Sequence, residues 1–147
     1  MGALTADFDF AARPAACALP SLLVLRVTGE DAATWLQGQV TQDIRPATGE
    51  HAVYALFTNV RGKIMADAWI RAISPETFLV AVPESARAEL EQSFEKYIIM
   101  EDVLVEPTDD RVVTVRGAGA DRSQSVALPS GALRWATSRF GLPGYDV

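Results

Sequence analysis

Two polar clusters in the 147-residue sequence carry side chains of the kind that bind small polar molecules. One cluster follows the first predicted helix, and the other occupies a predicted turn between two strands. Amide groups there could hydrogen-bond a polar heterocycle, while arginine and lysine could attract an anionic tail. The first cluster comprises Gln37, Gln39, Thr41 and Asp43, and the second comprises Asn59, Arg61 and Lys63.

A structural role competes with the binding role at both clusters. Amides and threonine just beyond a helix end commonly satisfy carbonyls or complete a turn. Asparagine in a hairpin often serves the backbone geometry, and neighbouring cations are commonly solvated. Spacing alone favours the structural role.

Asp67 is a further candidate because it interrupts an otherwise apolar stretch. A carboxylate in a cleft there could take part in binding or proton transfer. Strand alternation places Asp67 on the same face as Lys63 and Trp69, with Ala66 and Ile70 on the other face. We therefore expect Asp67 to point away from the purely apolar face.

The sequence excludes several kinds of catalytic and metal site. It contains no nucleophile elbow, phosphate-binding loop, dinucleotide fingerprint or zinc-protease helix motif. The single cysteine, Cys17, cannot form an internal disulfide, and with the single histidine, His51, it cannot complete a four-ligand metal cage. We therefore expect no metal bound by this chain alone.

The charge of the chain argues against two classes of partner. Nineteen acidic and thirteen basic residues give a formal net charge of −6, which repels phosphate backbones and anionic lipids. Asp7 and Asp9 stand where a secretory signal would carry basic residues, and Pro20 and Arg26 interrupt the later apolar run. We expect no direct nucleic-acid binding, no membrane insertion and a cytoplasmic location.

The patterns along the chain predict an α+β fold. Residues 1–20 have no period and predict an irregular lead-in, followed by one domain over residues 21–147. The predicted order, one strand, a helix, three strands, a helix and two strands, fits a ferredoxin-like antiparallel sheet with two main helices on one face. The elements are a strand at Leu22–Val27, a helix beginning near Glu30, strands between Val53 and Val82 with a hairpin at Asn59–Gly62, a helix at Glu84–Ile98, and strands at Val103–Glu106 and Val112–Val115.

Three segments carry a family resemblance: VTGEDAATWLQGQVTQDI, LFTNVRGKIMADAWI and FEKYIIMEDVLVEP. In this order and spacing they resemble the N-terminal part of the YgfZ family of folate-binding proteins. That family belongs to the superfamily of the aminomethyltransferase, or T-protein, of the glycine cleavage system. The resemblance implies the N-terminal part of the aminomethyltransferase folate-binding fold, tetrahydrofolate as cofactor, and a role in assembling or repairing iron–sulfur clusters, including those of tRNA-modifying enzymes.

The resemblance also implies where folate binds. The pterin ring would lie near the hairpin and the sheet face, and Arg61 or Lys63 would meet the glutamyl carboxylates. The expected folate-binding residues are Gln37, Gln39, Asn59, Arg61, Lys63 and Asp67.

Two departures from the superfamily pattern bear on activity. In the aminomethyltransferases, the stretch matching GKIMADAWI carries two adjacent acidic residues, one of them catalytic, whereas this chain has Ala66 and Asp67. Loss of the first acid disfavours aminomethyl transfer. The cysteine-containing Lys-Gly-Cys-Tyr-x-Gly-Gln-Glu motif of the YgfZ family belongs to a later half, toward which residues 141–147 lead. We therefore expect a second polypeptide, or self-association, to supply the C-terminal half.

Three functional hypotheses follow. The leading hypothesis is a non-catalytic tetrahydrofolate-binding accessory protein that supports iron–sulfur client proteins. The second is half of a split folate-dependent aminomethyl or one-carbon transferase. The third is an interaction module that has lost folate binding and uses an open sheet edge for pairing.

Overall fold

The structure is a computed structural model that describes residues 14–120, 130–137, 142 and 144–147. Its contacts divide the chain into two compact units, one spanning Leu19–Val112 and the other combining residues up to Ala18 with those from Val113 onward. Within the described residues the elements are β1 (Ala15–Ala18), β2 (Leu22–Thr28), α1 (Ala32–Gln39), β3 (Val53–Thr58), β4 (Ile64–Ser74), β5 (Thr77–Pro83), a 3₁₀ turn (Glu84–Ala86), α2 (Arg87–Tyr97), β6 (Leu104–Pro107), β7 (Val113–Arg116), β8 (Trp135–Ala136) and β9 (Gly144–Asp146).

The described strands of the larger unit form one antiparallel sheet in the order β3-β4-β5-β2-β6. The second half of β2 alternates as a half-buried strand should, so that Leu25 and Val27 are buried while Arg26 between them is exposed. Both helices cover the buried face, because Leu36 of α1 and Leu90 of α2 join the same apolar cluster. The core of this unit therefore lies between the sheet and its two helices.

Aromatic rings connect the helices to the sheet inside this core. The ring of Phe94 lies edge-to-face with Trp35 at 5.2 Å and with Phe57 at 5.6 Å between centroids. Such geometry adds to the free energy gained from burial. The apolar stripe predicted for the second helix is confirmed, since Ala86, Leu90 and Phe94 are all buried.

The predicted hairpin is also present. Strands β3 and β4 pair antiparallel, with Leu56 opposite Asp67, and the register shifts between Phe57 and Thr58. A one-residue irregularity of this kind bends the strands near the turn. The predicted alternation is confirmed at the centre of β4, where Ala66 is buried while Asp67 is only partly buried. It is wrong nearer the turn, because the bulge leaves Ile64 exposed and packs Met65 against the core.

The smaller unit contains a second antiparallel sheet whose described strands follow the order β1-β7-β9-β8. A buried ion pair joins β7 to β9, with Arg116 Nη2 at 2.7 Å from Asp146 Oδ1. The guanidinium also donates to Thr114 Oγ1 at 2.7 Å and to the Thr137 carbonyl at 2.8 Å. These additional bonds compensate for the desolvation of a charge that is only 2% exposed.

The irregular lead-in predicted for residues 1–20 is wrong for residues 15–18. That segment forms β1, in which Ala15 lies opposite Arg116 and Ala18 opposite Val113. Its alanines give no strand pattern, and its partner lies far along the chain, so the pairing left no local signal. Residues 1–13 lie outside the described part of the chain.

The α+β class with antiparallel strands and two helices is confirmed, and the structure adds the second sheet. The single domain over residues 21–147 stays a prediction. Of residues 141–147, which were expected to lead into a second half, Gly144–Asp146 form β9, whereas Gly141 and Pro143 lie outside the described residues.

Candidate functional site

The β3–β4 turn is organised by one side chain. Asn59 Oδ1 accepts hydrogen bonds from the backbone N–H of Arg61 at 2.9 Å and of Lys63 at 3.1 Å. Gly62 N–H donates to the Asn59 carbonyl at 2.9 Å, and Gly62 has φ +75°, which glycine adopts without strain. The amide of Asn59 therefore has the structural role that its position in a turn favours.

The cations that follow Asn59 project from this turn. Arg61 and Lys63 are exposed, and within the described part of the chain no carboxylate forms an ion pair with either of them. Two uncompensated positive charges on an acidic chain create a local site of attraction for an anion. They are the best-placed cations for the carboxylates of a small ligand.

The segment after α1 runs beside the same end of the sheet. Val40 forms an isolated antiparallel bridge with Phe57. Thr41 N–H donates to the Leu56 carbonyl at 3.0 Å, and Leu56 N–H donates to Thr41 Oγ1 at 3.2 Å. This register places the backbone of Gln39 toward the turn end of β3. No hydrogen bond or ion pair among the described residues links Gln39 to Arg61 or Lys63, so the joining of the two clusters in one site stays a prediction.

Gln37 belongs to a different surface. Its Nε2 donates to the Gln42 carbonyl at 2.9 Å, and its Oε1 accepts the N–H of Ile44 at 2.9 Å. It lines a concavity of about 860 Å³ beside the β4–β5 turn, where Phe78 lies at the base of the apolar wall. The amide of Gln37 fixes the loop after α1, and its role in folate binding stays a prediction.

Asp43 and Arg45 form an ion pair at the rim of this concavity. Arg45 Nε and Nη2 both donate to the carboxylate of Asp43, the shortest distance being 2.7 Å. These side-chain bonds, with a further bond from the Arg45 backbone N–H, lower the pKa of Asp43 to about 2. Asp43 is therefore ionised at neutral pH, and its carboxylate already has a cationic partner.

Asp67 lies on the sheet face opposite the helices, as its alternation predicted. Tyr54 Oη donates a hydrogen bond to Asp67 Oδ2 at 3.2 Å. The ring of Tyr54 also contacts that of Trp69, with centroids 5.1 Å apart and planes tilted by 51°. The sequence reasoning missed Tyr54, and the only signal that could have found it is the register of the hairpin, in which Tyr54 lies opposite Trp69.

Ala66 occupies the position where the first superfamily acid would stand. It is 5% exposed, belongs to the apolar core cluster and pairs in register with Phe57. A carboxylate there would be desolvated among apolar side chains. The local environment is therefore built for a small apolar residue.

A groove of about 610 Å³ separates the hairpin turn from the last turns of α2. Asn59, Val60 and Met65 line one side, and α2 lines the other with Glu89, Gln92, Ser93, Glu95, Lys96 and Tyr97. Its volume is in the range of small-molecule sites. The groove and the turn from Gln39 to Lys63 form what we call the hairpin-end site, defined by Gln39, Asn59, Arg61, Lys63 and the groove-lining residues named above.

Two further kinds of feature are absent from the described residues. They contain no group of three or more histidine, cysteine, aspartate or glutamate side chains arranged to hold a metal ion. No helix among them has the length and apolar character needed to cross a membrane.

The fold and part of the sequence match known proteins. The family described as the GCVT N-terminal domain matches residues 17–129. A similar solved structure is the glycine cleavage system aminomethyltransferase T from Bartonella henselae, with a TM-score of 0.72 and 13% sequence identity. The match covers 93% of this chain and 42% of that chain, so this chain spans less than half the length of the related structure. No match was found among curated proteins.

Proposed function

The chain belongs to the GCVT N-terminal domain family, and from that premise we propose that it binds a reduced folate at the hairpin-end site. The observation that carries the proposal is the pair of exposed cations, Arg61 and Lys63, whose backbone Asn59 fixes beside a groove of ligand size. A folate has a polar heterocycle at one end and carboxylates at the other. The residues present fit those two demands.

The ligand would lie along the hairpin. The glutamyl carboxylates would meet Arg61 or Lys63, because a guanidinium or ammonium forms charge-assisted bonds with carboxylate. The pterin ring would lie in the groove between the hairpin turn and α2. Asp67 lies on the opposite face of the sheet, so it is a separate candidate outside the hairpin-end site.

The cellular role that we propose is that of a non-catalytic accessory protein in the assembly or repair of iron–sulfur clusters, including those of tRNA-modifying enzymes. The three segments that resemble the YgfZ family support this role, and the apolar environment of Ala66 supports an accessory rather than a transferase function. In this proposal the protein works in the cytoplasm on iron–sulfur client proteins.

Charge reversal tests the folate site. Arg61→Glu/Lys63→Glu should weaken binding of 5-formyltetrahydrofolate, measured by calorimetry and tryptophan emission, about ten-fold or more because two attractions become repulsions. Arg26→Glu/Arg111→Glu is the matched control, since it makes the same change of net charge at exposed positions elsewhere. An equal loss in both variants, or none in the first, would remove Arg61 and Lys63 from the site.

One observation favours the split transferase as a second candidate. Asp67 keeps a carboxylate on the accessible sheet face, and the hydrogen bond from Tyr54 orients it. A carboxylate so held could serve as the acid–base group that Ala66 cannot provide. Folate-dependent turnover of a methylamine donor by the chain with its completing polypeptide, abolished by Asp67→Asn, would establish this function. Absence of any folate binding would instead favour the interaction module.

A further inference from the structure

Three large apolar side chains are exposed where the segment after α2 leads into β6. Ile99 is 80% exposed, Met100 93% and Leu104 53%. Single exposed apolar side chains are ordinary on protein surfaces, but large ones grouped within six residues are typical of interaction surfaces. We call Ile99, Met100 and Leu104 the α2–β6 patch.

The loop that carries the patch is held in place by its own polar groups. Glu101 Oε2 accepts hydrogen bonds from the N–H of Ile99 at 2.9 Å and of Met100 at 3.0 Å, and these bonds lower the pKa of Glu101. The Glu101 carbonyl accepts the N–H of Val103 at 2.9 Å. Because the backbone is satisfied locally, Ile99 and Met100 are displayed in a fixed arrangement, which reduces the entropy lost on binding.

An apolar groove of about 510 Å³ adjoins the patch between α2 and β6. Strand β6 is at one edge of the five-stranded order, so the groove opens beside an edge of the sheet. Glu91 and Glu95 of α2 border the groove, and Arg87, the cation that lines it, is paired with Glu91. Its apolar walls are formed by Leu90, Phe94, Ile98, Val103, Leu104 and Val105.

The charge of the molecule is concentrated in the same segment. Residues 91–110 contain seven acidic residues and one lysine, a net charge of −6 that equals the formal net charge of the whole chain. A surface with this field attracts a basic partner and steers its approach. The same field repels a second copy of this chain that presents the same face.

We propose that the α2–β6 patch and its groove dock a segment of another polypeptide that presents apolar side chains flanked by lysine or arginine. Burial of Ile99 and Met100 supplies affinity, and the surrounding carboxylates supply the choice of partner. The inference goes beyond folate binding and does not depend on it, because it uses neither Arg61 nor Lys63.

The experiment uses two synthetic amphipathic peptides of helical spacing, one of leucine and lysine and one of leucine and glutamate, with binding followed by fluorescence anisotropy. The native chain should bind the lysine peptide saturably and not the glutamate peptide. Ile99→Ser/Met100→Ser should weaken binding about ten-fold or more, as expected for central apolar contacts. Ile64→Ser/Ile73→Ser, which changes two exposed isoleucines of β4, should alter it less than about two-fold.

Two charge-reversal variants complete the experiment. Glu91→Lys should weaken binding of the lysine peptide several-fold, while Glu76→Lys, at the exposed β4–β5 turn, should not. Absence of saturable binding, or equal losses in the patch and control variants, would overturn the proposal. If the native chain sediments as a dimer and Ile99→Ser/Met100→Ser dissociates that dimer, a second copy of the chain occupies the patch. This result would also overturn the proposal. Folate affinity should be the same in the native chain and in this variant, so the outcome is independent of the folate test.

Discussion

Asn59 and Lys63 close the tip of the β3–β4 hairpin through two hydrogen bonds. Asn59 N–H donates to the Lys63 carbonyl at 2.9 Å, and Lys63 N–H donates to Asn59 Oδ1 at 3.1 Å. Because the same Oδ1 accepts the N–H of Arg61, one side chain sets the backbone from which both cations project. The geometry of the proposed folate site therefore depends on a residue whose side-chain oxygen is engaged in the turn.

Removing the Asn59 side chain should loosen this turn. Asn59→Ala loses the acceptor for two backbone N–H groups and should lower the free energy of unfolding by about 1 kcal/mol. Asn59→Asp keeps an acceptor oxygen and should stay within about 0.5 kcal/mol of the native chain. Urea denaturation measures both values, and native stability in Asn59→Ala would show that the side chain does not hold the turn.

An acidic residue at position 66, where the superfamily carries its first acid, should destabilise the folded chain. Ala66→Asp places a carboxylate without a partner in the apolar core and should lower the free energy of unfolding at neutral pH by about 3–5 kcal/mol. Burial would hold the pKa of the introduced carboxyl above its unfolded value of about 3.9, so the loss should grow as pH rises through that value and shrink below it. Asp67→Ala, on the accessible face, is the control and should cost far less. A variant as stable as the native chain would show that this position accepts a carboxylate.

The buried ion pair of the smaller unit should be sensitive to loss of one partner. Asp146→Ala leaves the Arg116 guanidinium buried without its carboxylate and should destabilise the chain by about 3–5 kcal/mol. Asp109→Ala and Asp110→Ala remove exposed carboxylates and should change stability by about 0.5 kcal/mol or less. Hydrogen exchange of the β7 and β9 amides would locate the effect, and equal exchange in all three variants would contradict it.

The Asp43 carboxyl should titrate unusually low. Its pKa, lowered to about 2 by Arg45, should be visible as the midpoint of its carbon-13 chemical shift change, and Arg45→Ala should return it toward its ordinary value of 3.8. Because the folded-state pKa is depressed, the stability that this pair contributes is present above about pH 3.8 and is lost as pH falls through about 2. A midpoint unchanged by Arg45→Ala would exclude the ion pair as its cause.

The sequence predicted the local parts of the fold and missed the non-local ones. The stripe of Leu90 and Phe94 and the hairpin around Asn59 are set by neighbours within a few residues, so periodicity and turn chemistry were sufficient to find them. Strand β1 depends on β7, a partner far along the chain, and small side chains gave no sign of it. The contact between Tyr54 and Asp67 arises from strand register rather than from spacing.

In the candidate site, too, the sequence predicted local features and missed non-local ones. For Asn59 and Gln37, the structural role that turn and helix-end chemistry favoured is the one that their hydrogen bonds show. The approach of Gln39 to the hairpin required the bridge between Val40 and Phe57, which no local pattern indicates. The sequence also does not indicate that an apolar residue such as Met100 is exposed, because burial is decided by the assembled fold.

The most direct test of folate binding at the hairpin end is a titration of the nitrogen-15-labelled chain with 5-formyltetrahydrofolate, followed by NMR. Binding at the hairpin end should give saturable shifts of the backbone amides of Asn59, Arg61 and Lys63 and of Tyr97 across the groove. The loop that Gln37 fixes should be unchanged. Saturable shifts confined to that loop, or no saturable shifts in the folded chain, would show that folate does not bind at the hairpin end.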